Sequence, residues 1–474
     1  MAGFVGRARE LKLLSDLVTG VASGSRTGRP GKALLIRGRR RVGKSRLVEE
    51  FIERSGLPSV YFTAVGGSRS QDLAGFTAAI AESDLPHAEL VADFGTPQTW
   101  DAALGVLGQT LPTDTPSVVI LDELPYLVRE DVTFEGSLQK AFDRTLSRLP
   151  VLLILIGSDI GMMQELNTYG RPFYQRGTDL VVPSLNPAEV GEMLGLRAAD
   201  AFDAFLVTGG LPLILEEWPE GANLWIYLAA ALGRPTSPLL VSGERVLAAE
   251  FPTEALAQQV LAAIGNGERT FTLIAREAGG MSPATLTRAL DVLVSRQMVT
   301  SELPLSTQAS KLTRYRISDP YLRFWLAFVR AGIPTIERGR GDLVLQGIRS
   351  RWTDWRGRAI EPVVRDGLWR LADDQLPDGS DVVGSYWTRN NDPEIDIVAA
   401  DRSPVAKRIT AVGSIKWHDR AAFDVRDLAR LAQHRDRLPG ASADTALIAI
   451  SRTGSSVDGL KTLRPDELIS AWPL

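Results

Sequence analysis

The stretch Ala33-Leu34-Leu35-Ile36-Arg37-Gly38-Arg39-Arg40-Arg41-Val42-Gly43-Lys44-Ser45-Arg46-Leu47-Val48 decides the fold of the first part of this chain. An apolar run of strand length gives way to a loop bounded by two glycines. The loop then passes into a helical pattern carried by Leu47, Val48, Phe51 and Ile52. Gly38 to Ser45 has the G-x-x-x-x-G-K-[ST] spacing of a phosphate-binding loop. Its glycines let the backbone wrap round phosphate oxygens with N–H groups turned inward, and the helix starting near Lys44 adds the positive end of its dipole. Gly38, Arg41, Val42, Gly43, Lys44, Ser45 and Arg46 are therefore the candidate nucleotide-binding residues. Lys44 is expected on the outer phosphates and Ser45 on Mg²⁺, so ATP and Mg²⁺ are the expected cofactors.

A second signal is Ser117-Val118-Val119-Ile120-Leu121-Asp122-Glu123. A fully apolar strand ending in two carboxylates suits the centre of a parallel sheet. Ligands of open α/β sheets lie beyond the carboxyl ends of the strands. Asp122 is thus expected near the Mg²⁺, and Glu123 where it can orient or deprotonate an attacking water. A third strand, Val151 to Ile156, ends in Gly157-Ser158-Asp159. Ser158 is the candidate sensor of the terminal phosphate, with a helix N-cap at Ser158 or Asp159 as the other reading. Arg171 and Arg176, in the loop Tyr169 to Gly177, are candidate arginine fingers, acting in cis or from a neighbouring subunit. Pro212, in the turn Gly209-Gly210-Leu211-Pro212, is either near the nucleotide or part of a plain helix–helix linker.

Composition narrows the class. The chain has 474 residues, 44% hydrophobic and 23% charged, which is ordinary for a globular protein of about three domains. A net charge of −4 means that any nucleic-acid contact must come from a local basic face. There is no cysteine, which excludes disulfides, thiolate metal sites and thiol nucleophiles. Three scattered histidines (His87, His418, His434) argue against histidine metal sites and Ser-His-Asp chemistry. The start lacks the apolar core of a signal peptide. The apolar run Val151 to Ile156 is of strand length, and no apolar run approaches the roughly 20 residues of a membrane span. A soluble, cytoplasmic protein with no membrane partner is expected, with a mobile surface loop over Gly20 to Gly31.

These motifs, with Phe4-Val5-Gly6-Arg7-x-x-Glu10-Leu11, Leu121 to Leu127, Gly157-Ser158, Tyr169-Gly170-Arg171 and Gly209 to Pro212, resemble the archaeal-type ATPases of the AAA+/STAND group over about the first 330 residues. The resemblance implies an ATPase module, a winged helix after it and often a nuclease-like tail. The expected fold class is an α/β P-loop NTPase (parallel sheet, helices on both faces) followed by a winged-helix domain and an α/β PD-(D/E)XK-like domain. The expected divisions are 1–240 with a helical lid, 241–335, and 345–474.

In the middle part, Val260, Leu261 and Ile264 form one apolar face. Thr272 to Gly279 reads as a short second helix. Ser282-Pro283 opens a third, serine as N-cap and proline at the first helical position. Leu286, Leu290, Leu293 and Val294 are its core face. Two strands, Met298 to Leu303 and Thr313 to Ile317, flank a polar tip at Ser306 to Lys311. Arg288 on the third helix and Lys311 and Arg314 on the hairpin are the candidate DNA contacts. A role as rigid lid or oligomer contact is equally open. Gly332 to Asp342 reads as a linker.

The tail shows a helical pattern over Trp355 to Leu371, strands at Val382 to Arg389, Glu394 to Ala400, Arg408 to Trp417 and Ala446 to Ser451, and a helix over Ala421 to His434. This order resembles the PD-(D/E)XK nucleases, whose carboxylates hold Mg²⁺ while a lysine positions water. The resemblance implies metal ligands at Asp396 and Glu361 and the lysine at Lys416. The position two before the lysine is Ser414, where the family carries an acid. A weak or inactive nuclease-like domain is expected. The chain thus reads as an ATP-hydrolysing switch coupled to double-stranded DNA or to self-assembly. The alternatives are an ATP-gated DNA nuclease and a signalling or scaffolding ATPase with a protein partner.

Overall fold

The computed structural model describes residues 4–23, 28–91, 95–250, 255–265, 267 and 269–472. The chain divides into two compact units, one ending at Ser184 and one starting at Leu185.

The first unit is built on five parallel strands: β1 (Lys32–Arg37), β2 (Ser59–Thr63), β3 (Ser117–Asp122), β4 (Val151–Gly157) and β5 (Gly177–Val181). Their order is β2-β3-β4-β1-β5. Every residue of β3 and β4 is buried, which is why both read as unbroken apolar runs. Ala33 and Leu35 of β1 join one core cluster, while Leu34 and Ile36 are buried on the opposite face, so the sheet is covered on both sides. The first face is filled by Phe62, Phe76, Trp100 and Phe134, neighbouring ring centroids lying 5.4, 5.6 and 4.9 Å apart. Placing β4 between β1 and β3 brings the end of the Ser158 strand between the phosphate loop and the acid pair. The loop expected at Gly20 to Gly31 is shorter than that span. The helix Ala8–Ala22 runs into it, and residues 24–27 lie outside the described residues.

The second unit begins with the helices Pro187–Leu194, Ala198–Thr208, Leu224–Leu232 and Pro238–Glu250. Three helices follow, Ala255–Ile264, Phe271–Glu277 and Pro283–Ser295. A two-residue strand, β6 (Arg269–Thr270), precedes the second of them. The antiparallel pair β7 (Val299–Glu302) and β8 (Arg314–Ile317) comes next. Pairing of β6 with β8 completes a winged helix. Ser282 caps its third helix by accepting from Thr285 N, and Pro283 follows at the first turn. Leu286, Leu290 and Leu293 are buried, but Val294, expected beside them, is 37% exposed. At about 100° per residue it falls past the buried arc of the helix.

One further expectation fails in this unit, and another is met in part. Gly332 to Asp342 is not a linker. Ile333–Glu337 is helical, and a 30-residue helix, Gly341–Arg370, starts where Gly341 packs against the Leu232 carbonyl too closely for any Cβ. The tip expected at Ser306 to Lys311 is polar, with Gln308 and Lys311 exposed, but Ser306 is buried and the residue before it enters a core. Leu305 is 3% exposed and lies in the core of the terminal sheet with Ile395, Val398, Val412 and Phe423. Its N–H donates to Ser385 O at 2.8 Å, Ala406 N donates to Ser306 O at 2.9 Å, and Thr307 N to Pro439 O at 3.3 Å. The first of these bonds joins the arm to the edge strand β9 of that sheet. Leu305→Ala is expected to cost about 2–4 kcal/mol, seen as a lower denaturant midpoint of the second unit.

The terminal sheet has the order β13-β12-β11-β10-β9. Strands β9 (Val382–Trp387), β10 (Glu394–Ala400) and β11 (Ile409–Lys416) form an antiparallel meander, while β12 (Ala446–Ser451) and β13 (Lys461–Leu463) pair in parallel after the helix Val425–Asp436. The second unit therefore holds a winged helix and a separate α/β sheet. Among the described residues, no helix is long and apolar enough to cross a membrane.

Candidate functional site

The loop after β1 is held open by its own backbone and from below. Gly43 has φ 88° and Arg41 φ 67°, both left-handed, and a Cβ on Gly38 would run into the Val182 carbonyl. Arg7, 4% exposed, donates from Nη2 to Val42 O at 2.8 Å and to Pro183 O at 2.6 Å. The chain start thus braces the loop. Lys44 opens the helix Lys44–Ser55 and folds back, donating from Nζ to Gly38 O and Arg39 O, each at 3.0 Å. Burial lowers its pKa, and the Glu123 and Asp122 carboxylates oppose that shift.

Ser45 Oγ donates to Asp122 Oδ2 at 2.7 Å. Tyr61 Oη on β2 donates to the same oxygen at 2.8 Å, and Asp122 Oδ1 accepts from Glu123 N at 2.8 Å. Burial first, and then the Asp122 charge, push the Tyr61 hydroxyl well above its usual pKa, so it stays a proton donor. A hydroxyl and a carboxylate this close, set beside a lysine in a glycine loop, are the one- or two-ligand donor set that a Mg²⁺ uses with nucleotide phosphates. The residues present fit that group. Among the described residues no cluster of three or more His, Asp or Glu side chains could hold a metal by itself.

Glu123 sits in the left-handed region at φ 55°, a costly conformation for a glutamate and one that collects at functional sites. Ser158 Oγ donates to its carboxylate at 3.0 and 3.2 Å. The cap of the helix Ile160–Leu166 is Asp159, which accepts from Met162 N, so Ser158 is left for Glu123. Arg40 approaches from the loop: its Nε lies 3.3 Å from Ser158 Oγ and its Nη2 3.3 Å from Tyr126 Oη.

Lys44, Ser45, Asp122, Glu123 and Ser158 are thus brought together. Other expected residues of the first unit are engaged elsewhere. Arg171 pairs with Glu135 at 2.7 Å. Arg176 makes a two-pronged bond to Asp143 at 2.8 Å per arm and also donates to the Pro172 and Tyr174 carbonyls. Neither arginine bonds to the loop or the acid pair. Arg46 turns along its own helix to Glu49, Glu50 and Glu53. Pro212 opens the short helix Pro212–Leu215 of the second unit. The sequence alone does not point to Tyr61, whose strand it does not mark, and it places Arg7 and Arg40 in their motifs without a role in the site.

In the terminal sheet, Asp396 accepts from Ser414 Oγ at 3.0 Å and Ile415 N at 2.8 Å. Burial raises its pKa despite those two donors. Lys416 pairs with Asp427 on the next helix, and Glu361 lies 3.6 Å from Arg365 on its own helix. Asp396 and Ser414 are brought together, while Lys416 and Glu361 are taken by other partners. In the winged helix, Arg288 and Lys311 are exposed. Arg314 is 14% exposed, bonded to Glu394 at 2.7 Å and Asn391 at 2.8 Å, with its guanidinium 4.5 Å from the Trp387 ring centre.

The parallel sheet, the glycine loop and the acid pair give the first unit the P-loop NTPase fold. Residues 325–428 match the family DUF234, described as archaea bacterial proteins of unknown function. An uncharacterised protein of Methanocaldococcus jannaschii is 25% identical over 442 residues, 92% of each chain. Among solved structures, a Walker-type ATPase of Pyrococcus abyssi is similar at 19% identity and TM-score 0.47, over 68% of this chain and 96% of that one. The Aeropyrum pernix ORC2 protein, solved with ADPNP and ADP, is similar at 15% identity and TM-score 0.46, over 74% of this chain and 98% of that one.

Proposed function

We propose that this chain is an archaeal-type ATPase that binds Mg-ATP in the first unit and works as a hydrolysis-driven switch on duplex DNA. The observation that carries the reading is the Ser45–Asp122 bond of 2.7 Å beside Lys44, with Glu123 and Ser158 joined across from it. When bound, Mg²⁺ would neutralise phosphate charge, and ATP would supply the phosphoanhydride to be broken. Ser45 and Asp122 would hold the metal, with Tyr61 and the Glu123 amide orienting the Asp122 carboxylate. Lys44 would leave the Gly38 and Arg39 carbonyls for phosphate oxygens. Glu123 would take a proton from the water whose oxygen bonds to the terminal phosphorus as the bridging P–O bond breaks, giving ADP and inorganic phosphate. Ser158 would hold Glu123 in position until then.

For the terminal sheet we infer binding without cleavage. Ser414 offers a hydroxyl where a metal-binding nuclease needs a carboxylate, Asp396 is half-buried with a raised pKa, and Lys416 is engaged by Asp427. Arg288 and Lys311 would supply phosphate contacts. The engagement of Arg314 by Glu394 and Asn391 favours a second reading, in which the winged helix is a joint to the terminal sheet and the partner is a protein.

The test is ATP turnover with and without duplex DNA, followed by a gel of the DNA. The expected result is turnover stimulated by duplex, with the DNA left intact. Turnover indifferent to DNA would move the conclusion to the protein-partner reading, and cut DNA would overturn the inactive tail.

A further inference from the structure

We propose that Arg40, the middle one of the three consecutive loop arginines, reads the terminal phosphate of the nucleotide and makes the site prefer ATP over ADP. The inference deepens the nucleotide reading and rests on it.

Arg40 rises from the loop between Gly38 and Gly43, and its guanidinium spans Ser158 at the end of β4 and Tyr126 in the helix Leu124–Glu130. Ser158 in turn holds both oxygens of Glu123. The guanidinium therefore lies one residue, Ser158, away from the carboxylate that would activate the attacking water. Arg40 and Lys44 place two cations on one loop, an arrangement that an anion between them would relieve.

The partners of Arg40 separate it from the other candidates. Arg129 is paired with Asp159, Arg171 with Glu135 and Arg176 with Asp143. Each would have to leave a carboxylate to reach a phosphate. Arg40 instead donates to two neutral hydroxyls at 3.3 Å, the long end of hydrogen-bond range, and its side chain is exposed. Exchanging two long bonds to neutral acceptors for a two-pronged bond to phosphate oxygens is favourable, because then both partners carry charge and the fork of the guanidinium matches the phosphate. ADP lacks the group that Arg40 would reach, so the gain belongs to ATP alone. Because Ser158 bonds both Arg40 and Glu123, removal of the arginine to a phosphate would also be felt by the base.

The experiment compares dissociation constants, in excess Mg²⁺, for ADP and for the non-hydrolysable imido analogue of ATP. The proteins are the full-length wild type, Arg40→Ala and Arg40→Lys. The alanine variant is expected to bind the analogue about 10- to 100-fold more weakly while ADP changes by less than about threefold. Lysine keeps the charge without the fork and is expected to recover part of the loss. Equal losses for both nucleotides, or none for either, with wild type binding normally, would overturn the role of Arg40 and leave the nucleotide site standing. Wild type that binds neither nucleotide would overturn both.

Discussion

Glu123→Gln is expected to lower ATP turnover by about 10²- to 10⁴-fold, the range lost when a positioned general base is removed. The glutamine keeps the shape of the side chain and can still accept from Ser158, so the loop and the Ser45–Asp122 pair should stand unchanged. What it loses is the capacity to take a proton. Binding of Mg-ATP should therefore survive, and the variant should accumulate the ATP-bound state. The check is kcat measured beside an independent nucleotide dissociation constant. A fall in kcat with an unchanged dissociation constant places Glu123 in the chemical step. A parallel loss of binding would instead make it a support of the loop, which its left-handed backbone at φ 55° would also permit.

Arg356→Ala is expected to destabilise the second unit by about 3–5 kcal/mol, the cost of breaking a buried ion pair from one side. Arg356 has a side chain only 1% exposed. It donates at 3.0 Å to Asp203 and at 3.0 Å to Asp419, and at 3.2 Å to the Trp417 carbonyl. Arg452 bonds the same two carboxylates at 3.1 and 3.0 Å. The network ties the helix Ala198–Thr208 to the long helix Gly341–Arg370 and to the loops after β11 and β12. Removing one arginine leaves Asp203, 5% exposed, with half of its charge compensation. Thermal unfolding should show a drop of roughly 10 °C for a unit of this size. Arg356→Lys should fall between, since it keeps the charge and loses the fork. A midpoint within a degree of wild type would mean that Arg452 alone satisfies the cluster.

Much of the nucleotide site is legible in the amino-acid sequence because it is local. β1, β3 and β4 are buried on both faces, so they show as uninterrupted apolar runs, and the loop and acid pair sit at their ends. β2 and β5 give no such signal. They are the edges of the sheet, and β5 has no buried residue. Without β2, Tyr61 has no place in the site. The three arginines from Arg39 to Arg41 are indistinguishable in one dimension. Only the fold shows that the middle one bonds Ser158 and Tyr126. Arg171 and Arg176 look available along the chain because their carboxylates, Glu135 and Asp143, stand about 35 residues earlier on another helix. The burial of Leu305 escapes notice for a similar reason. It stands just before the polar tip Ser306 to Lys311, and the core it enters is formed by strands far downstream. Polarity along the chain does not reveal burial by a distant element.

The central claim is that the Gly38–Ser45 loop holds Mg-ATP. Its most direct test is calorimetric titration of the purified chain with nucleotide and Mg²⁺, wild type against Lys44→Ala. The expected result is saturation at one nucleotide per wild-type chain and at least about tenfold weaker binding when the charge-assisted bonds of Lys44 are removed. No uptake by wild type, or equal affinity in the lysine variant, would contradict it.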